Sequence, residues 1–184
     1  LPDSSGLSSA CWLWAGHWLS KKGMAALAET CYRQATAGGG KSAAEAGFRR
    51  AQQLLSKGLN DEAVEACELA LAIDPRHARA WCALGAAQRR LAHMDAARNA
   101  YEQAIKFDGR YAQAWCNLGE WRLTQGENLA ALDDFEQALS FDRGLLEALN
   151  NRVAALYELG RFKDAEAAAR SAIEIHPDEA ALHV

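Results

Sequence analysis

The segment TAGGGKSAAEAGF, from Thr36 to Phe48, holds the residues whose spacing comes nearest to a chemical site. Gly-Gly-Gly-Lys-Ser matches the end of a phosphate-binding P-loop, where backbone N–H groups and the lysine hold phosphates. A P-loop also needs a glycine five residues before Gly40, where this sequence has Ala35, and a strand leading into it, where LAETCYRQA has a helical pattern. We therefore predict a flexible loop over residues 36–43, between two helices, and no nucleotide site.

Other residue types that perform catalysis or bind metals are scattered. Histidines occur at positions 17, 77, 93, 176 and 183, and cysteines at positions 11, 31, 67, 82 and 116. They form no H-E-x-x-H motif and no zinc-type grouping. The odd, dispersed cysteines favour a reducing compartment over a disulfide framework. We expect no catalytic residues, no metal and no cofactor, so the chain is predicted not to be an enzyme.

The composition argues against nucleic-acid-binding and membrane proteins. Of the 184 residues, 50% are apolar, and the net charge is −4 with acids and bases interspersed. A nucleic-acid binder or an anionic-membrane binder would need a net basic face. No apolar run approaches the roughly 18 residues of a membrane span, and ACWLWAGHWL is too short. We expect a cytoplasmic protein without membrane insertion; the periplasm stays open if an upstream signal was removed.

The sequence repeats with a period of 34 residues. AWCALGAAQ begins at Ala80 and AWCNLGEWR at Ala114, and the same offset links Tyr101 to Phe135. A sustained period of this length predicts a repeat array. The predicted units are 44–77, 78–111, 112–145 and 146–179, preceded by a degenerate unit at 9–43; residues 1–8 form an N-terminal extension and residues 180–184 start a further helix.

Each unit contains two amphipathic stretches separated by a short break. Gly58, Gly126 and Gly160 share one position in that break, where a positive φ closes the first helix. Ala92 occupies the same position in unit 78–111, so that turn must adopt another conformation or tolerate strain. Small residues at repeated positions let two helices approach closely, and large residues fill the space between layers.

The recurring residues match the pattern W-x2-L-G … A-x3-F/Y-x2-A. They are Trp81, Leu84, Gly85, Ala97, Tyr101 and Ala104, and again Trp115, Leu118, Gly119, Ala131, Phe135 and Ala138. This resembles the tetratricopeptide repeat, most closely the units of bacterial arrays. Unit 44–77 departs at Gly47 and Cys67, and unit 146–179 departs at Leu149, Arg152 and Val153. The resemblance implies an all-α, right-handed α-solenoid (superhelix) of helix-turn-helix repeats.

In arrays of this kind the first helix of each unit lines a concave groove. The resemblance therefore implies a non-catalytic interaction module that binds a peptide or helix of a partner protein there. Helical spacing places its candidate binding residues on the exposed face of the first helices: Phe48, Arg49, Gln52, Arg79, Cys82, Arg89, Gln113, Cys116, Asn117, Glu120, Glu147, Asn150, Asn151 and Tyr157.

Two features of this set suggest how a ligand is held. Asn117 and Asn151 share a position in successive units, similar to the asparagine ladder of O-linked N-acetylglucosamine transferases, which holds a peptide backbone. Basic residues lie towards the N-terminal half and acidic residues towards the other, so we also predict a groove in which an acidic ligand segment docks near Arg79 and Arg89. The alternatives are two solvated amides and a mixed surface that confers solubility.

Other functions remain open on the sequence. The lysine and asparagine set of a chaperone-type carboxylate clamp is not found, which disfavours a heat-shock co-chaperone. Trp12 fits a core position, whereas Trp14 and Trp18 can cap the array or support a homo-oligomer, together with the edge at 180–184. The remaining alternative is a substrate-targeting repeat domain of a larger enzyme, such as a glycosyltransferase.

Overall fold

The computed structural model describes residues 8–37 and 41–177. These residues form helices and turns, without strands. The helices are α1 (Ser9–Lys21), α2 (Ala25–Ala37), α3 (Lys41–Ser56), α4 (Asn60–Ile73), α5 (Ala78–Arg90), α6 (Met94–Phe107), α7 (Ala112–Thr124), α8 (Asn128–Phe141), α9 (Leu146–Glu158) and α10 (Phe162–Ile175). The predicted segments 1–8 and 180–184 lie outside the described residues, apart from Ser8, which caps α1.

The chain divides into two compact units. The amino-terminal unit, Leu1–Phe107, contains α1 to α6, and the carboxy-terminal unit, Asp108–Val184, contains α7 to α10. Within each unit every helix packs against the next one in sequence. First helices of successive repeats also touch each other: α1 with α3 and α3 with α5 in one unit, α7 with α9 in the other. The predicted all-α helical repeat solenoid is confirmed.

A left-handed residue ends the first helix of each repeat. Gly23, Gly58, Gly126 and Gly160 have φ between 71° and 78°. Ala92 takes the same conformation at φ 62°, and it is the non-glycine with positive φ among the described residues. The turn closes as it does at Gly126, since His93 N donates to Gln88 O at 2.9 Å. Ala92 thus tolerates the strain of the left-handed region instead of changing the turn.

A glycine in the first helix faces an aromatic ring of the second helix in three repeats. A Cβ added at Gly16 would lie 2.6 Å from Tyr32, and one at Gly119 would lie 2.7 Å from Phe135. Gly85 has the same relation to Tyr101, and all three rings are buried. In the two other repeats the corresponding pairs are Ala51 with Cys67 and Val153 with Ala169. Glycine is therefore present where the second helix carries an aromatic ring, and a larger residue takes its place where the ring is missing.

The loop predicted over residues 36–43 is largely wrong. Helix α2 continues to Ala37 and α3 begins at Lys41, so Lys41 and Ser42 are helical; Gly38, Gly39 and Gly40 lie outside the described residues. Helix α3 extends towards the glycines because Ala43 and Ala44 are fully buried, and packing stabilises this additional turn. A helix and not a strand precedes the glycines.

Candidate partner-binding surfaces

Basic side chains are concentrated on the first helices of the amino-terminal unit. Helices α1, α3 and α5 carry seven lysines and arginines and a single acid, Glu45. The basic residues are Lys21, Lys41, Arg49, Arg50, Arg79, Arg89 and Arg90. Charges of one sign on neighbouring helices raise the local potential for an anionic ligand.

Glu45 is the centre of an ion-pair cluster on this surface. One carboxylate oxygen accepts from Arg49 Nε at 2.8 Å, and the other from an Arg79 guanidinium nitrogen at 2.7 Å. His77 Nε2 lies 3.2 Å from the same oxygen as Arg79. Burial alone would raise the pKa of Glu45, but the His77 hydrogen bond and the two guanidinium charges outweigh it and lower that pKa. Because two positively charged arginines surround one ionised carboxylate, the cluster retains a net positive charge.

Phe48 lies beneath these arginines and is buried, with 3% of its surface exposed. The Arg79 guanidinium carbon is 5.0 Å from the ring centroid and that of Arg49 is 5.7 Å. The expectation that Phe48 is exposed is wrong, because α5 packs over the position and the two guanidinium groups cover the ring. The ring of Phe48 thus supports the guanidinium groups of Arg49 and Arg79.

Cys82 and Cys116, at the same repeat position as Phe48, are also buried, with 4% and 1% exposed. Their predicted place on an exposed face is wrong as well. For Cys116 the reason is contact with the core that also includes Leu149 of α9, so this position faces the next first helix. Asn150, at the corresponding position of α9, is exposed.

The other candidates of the amino-terminal unit remain accessible. Gln52 and Arg79 are exposed, and Arg49 and Arg89 are partly buried. Arg90 is exposed and donates to the carbonyl oxygen of Leu55 near the end of α3. A neutral carbonyl leaves the guanidinium charge in place, and the carboxyl end of a helix favours it.

In the carboxy-terminal unit the candidates are mostly uncharged. Asn117 on α7 and Asn151 on α9 are both partly buried on neighbouring helices, and Gln113 Nε2 donates to Asn117 Oδ1 at 3.1 Å. Glu120 is partly buried and Glu147 is exposed. Tyr157 is exposed and makes an edge-to-face contact with Phe162, with 5.2 Å between ring centroids.

Sequence analysis missed a buried ion pair in this unit. Arg122 on α7 donates to both carboxylate oxygens of Asp134 on α8, each at 2.8 Å. Asp134 is 3% exposed, and burial raises the pKa of its carboxyl to about 6 although Arg122 opposes the shift. The signal was present: Leu156 and Ala168 occupy the corresponding positions one repeat later, so both partners depart from the pattern together.

The described residues contain no cluster of side chains suited to holding a metal ion. Within the same residues, every helix is too short or too polar to cross a membrane.

Comparison with known proteins agrees with this architecture. Two sequence models of the tetratricopeptide repeat match the chain, one over residues 78–111 and the other over residues 19–78 and 123–180. No curated protein sequence matches it.

Solved structures with the same fold include three helical repeat proteins. The crystal structure of MamA superposes with a TM-score of 0.73 at 22% identity, covering 96% of each chain. TTC0263, a thermophilic TPR protein of Thermus thermophilus, gives 0.74 at 22% identity, covering 96% of this chain and 95% of its own. YrrB, described as a TPR protein with an unusual peptide-binding site, gives 0.68 at 22% identity, with coverage of 94% and 89%. At this identity the likeness concerns the fold.

The 34-residue period, the paired helices and the glycine-to-aromatic contacts agree with repeat models that together match more than half of the sequence. The chain belongs to the tetratricopeptide repeat family, whose members are generally non-catalytic scaffolds for protein interactions.

Proposed function

We propose that this chain is a non-catalytic scaffold that binds a peptide or helix of a partner protein on its first helices. The observation that carries the proposal is the distribution of charge. Helices α1, α3 and α5 hold seven basic residues and one acid, whereas α7 and α9 hold two arginines and three glutamates. A surface that only confers solubility has no need to segregate its charges in this way.

The sign of the charge differs between the two units and sets the ligand chemistry that suits each of them. An acidic segment docks on the amino-terminal unit near Arg79 and Arg89, whereas the surface of α7 and α9 suits a neutral or basic segment. The rigid support of Arg79 favours this, because Phe48 and Glu45 hold its guanidinium in one orientation. Charge complementarity of this kind mainly raises the association rate and the sensitivity to salt.

Asn117 and Asn151 supply a second proposed element of recognition. Each amide carries a donor and an acceptor, so two rungs on neighbouring helices can hold a peptide backbone without reading its sequence. The amide oxygen of Asn117 already accepts from Gln113, which fixes the orientation of its NH2 group. YrrB, which shares this fold, is described as having a peptide-binding site.

A differential pull-down tests the proposal. The baits are the wild type, Arg79→Glu, and the matched control Arg98→Glu on the second helix α6, where Arg98 is exposed. Circular dichroism first establishes that all three are equally helical. We expect a protein captured by the wild type and by Arg98→Glu but lost from Arg79→Glu, with a yield that falls as salt rises. Equal capture by the three baits contradicts binding on the first helices.

Self-association is a second candidate, because Trp14 and Trp18 are 70% and 49% exposed on α1. Exposed aromatic rings on one helix are suited to contact between copies. Light scattering over a range of concentrations tests it: a mass that rises for the wild type and stays constant for Trp14→Ala/Trp18→Ala supports assembly, and a constant monomer mass for both rules it out.

A further inference from the structure

A polar groove runs between α1 and α3 of the amino-terminal unit. It consists of two adjoining concavities of about 380 Å³ and about 330 Å³ that share His17 and Arg49. Lys21 and Gln53 line the first concavity, and Trp14 and Glu45 line the second. We call it the α1–α3 groove; of the residues that form it, only Arg49 and Gln52 belong to the binding set predicted from sequence.

The two helices present facing stripes of side chains. On α1 the stripe is Trp14, His17 and Lys21, and on α3 it runs from Glu45 through Arg49 to Ser56. The twelve helical residues from Glu45 to Ser56 span roughly 16 Å, the length of about five extended peptide residues. The groove therefore fits a short extended segment.

The ends of the groove differ in chemistry. At one end the Trp14 side chain is 70% exposed beside Leu13 and Ala10, which offers an apolar surface. At the other end Lys21 makes no ion pair with any described residue, and Arg49, which lines both concavities, adds a second positive charge. Glu45 does not cancel this charge, because Arg49, Arg79 and His77 already surround its carboxylate.

Gln53 lines the first concavity and connects α3 to α2, because its Nε2 donates to Ala25 O at 2.9 Å. This hydrogen bond anchors one wall of the groove to the neighbouring helix.

We propose that the α1–α3 groove binds an extended acidic peptide segment of a partner protein. A carboxylate of the segment lies between Lys21 and Arg49, and a large apolar side chain packs on Trp14. Trp14 and Lys21 are seven residues apart, roughly 10 Å along the helix, so about three extended residues separate the two anchors. This inference rests on the proposed function and names the ligand chemistry for one part of the same surface.

Nuclear magnetic resonance with defined peptides tests this site. Uniformly ¹⁵N-labelled full chain is titrated with acetyl-Phe-Ser-Gly-Glu-Ser-amide and with its reversed sequence, to about 5 mM, which detects dissociation constants in the millimolar range. We expect at least one of the two peptides to shift the resonances of the backbone amides of α1 and α3 and of the indole N–H of Trp14. The same peptide with Gln for Glu should bind about tenfold more weakly, because the charge-assisted contact is lost.

Neighbouring residues provide matched controls. Lys22 and Trp18 lie on α1 or at its end and are exposed, but they do not line either concavity. Lys21→Glu and Trp14→Ala should each weaken binding about tenfold, whereas Lys22→Glu and Trp18→Ala should change it less than about twofold. Equal weakening within either pair, or shifts outside α1 and α3, overturns the groove as the site.

Failure here is distinguishable from failure of the proposed function. If neither peptide order shifts any resonance of α1 or α3, the acidic-peptide groove is wrong. If Arg79→Glu nevertheless loses a partner that Arg98→Glu retains, the scaffold function stands and the ligand lies elsewhere on the first helices. If all baits also capture alike, the proposed function falls as well.

Discussion

The two units use charge in opposite ways. In the amino-terminal unit Glu45 and its arginines lie at the surface of the first helices, where water and a ligand can reach them. In the carboxy-terminal unit Arg122 and Asp134 form an ion pair inside a helix hairpin, with the Asp134 side chain 4% exposed. Surface pairs contribute little to stability and are available for recognition, whereas buried pairs must compensate for a large desolvation cost.

The net charge also differs between the two units. Residues 1–107 contain 13 lysines and arginines against 10 acids, and residues 108–184 contain 7 against 14. One repeat architecture thus carries a basic and an acidic unit on very similar cores. The comparison teaches that the repeat dictates packing while leaving the charge of each unit free to vary.

Breaking the buried pair should have the largest effect on stability. Asp134→Ala removes the carboxylate that accepts from Arg122 and leaves this partly buried guanidinium with only Glu127, at 4.0 Å, which costs about 3 kcal/mol of unfolding free energy. The double change Arg122→Leu/Asp134→Ala recreates the Leu156 and Ala168 pair of the next repeat and should restore wild-type stability or exceed it. Urea unfolding measures all three chains, and a double variant no more stable than the single one would show that the pair is not interchangeable with an apolar contact.

The buried carboxylate should also make stability depend on pH. Because the pKa of Asp134 is raised from 3.8 to about 6, the folded state favours the protonated form. Its contribution is complete below the ordinary value of 3.8 and is lost as the pH rises through about 6. Relative to Asp134→Asn, the wild type should lose about 2 kcal/mol of stability between about pH 4 and about pH 7. A constant difference across that range would place the pKa near its ordinary value.

Adding a methyl group between the first-helix glycine and the buried aromatic ring should destabilise both units to a similar extent. Gly119→Ala places a methyl group 2.7 Å from the buried ring of Phe135 and should destabilise the carboxy-terminal unit by about 2 kcal/mol. Gly85→Ala should do the same in the amino-terminal unit. The control Gly144→Ala, whose new methyl group meets no atom closer than 3.7 Å, should be nearly neutral. Hydrogen exchange localises each effect, and a Gly119 effect no larger than that of Gly144 contradicts the close packing.

The smallest expected effect concerns the helix turns. Ala92→Gly should stabilise the amino-terminal unit by about 1 kcal/mol, since it relieves a left-handed alanine at φ 62°. Gly126→Ala, with open space around the added methyl group, should destabilise the other unit by a similar amount. Thermal unfolding compares the two, and shifts of the same sign would show that backbone strain does not control these turns.

Much of the architecture follows from spacing alone. The paired helices and the left-handed turns recur every 34 residues, because each repeat packs against a copy of itself. The glycine that faces an aromatic ring is found in three of the five repeats. The site was predicted less well: Phe48, Cys82 and Cys116 were placed on an exposed face and are buried. Helical spacing identifies a face of one helix, but it does not show how much of that face the next repeat covers.

The sequence by itself determined the family, the helical repeat and the basic and acidic halves, because these depend on residue types at fixed separations. Only the tertiary structure decided that Glu45 collects Arg49, Arg79 and His77, that Arg122 meets Asp134 inside a hairpin, and that α1 and α3 enclose a groove. Those arrangements join residues of different helices. The distances between such residues follow from packing and desolvation in three dimensions, which no single helical period encodes.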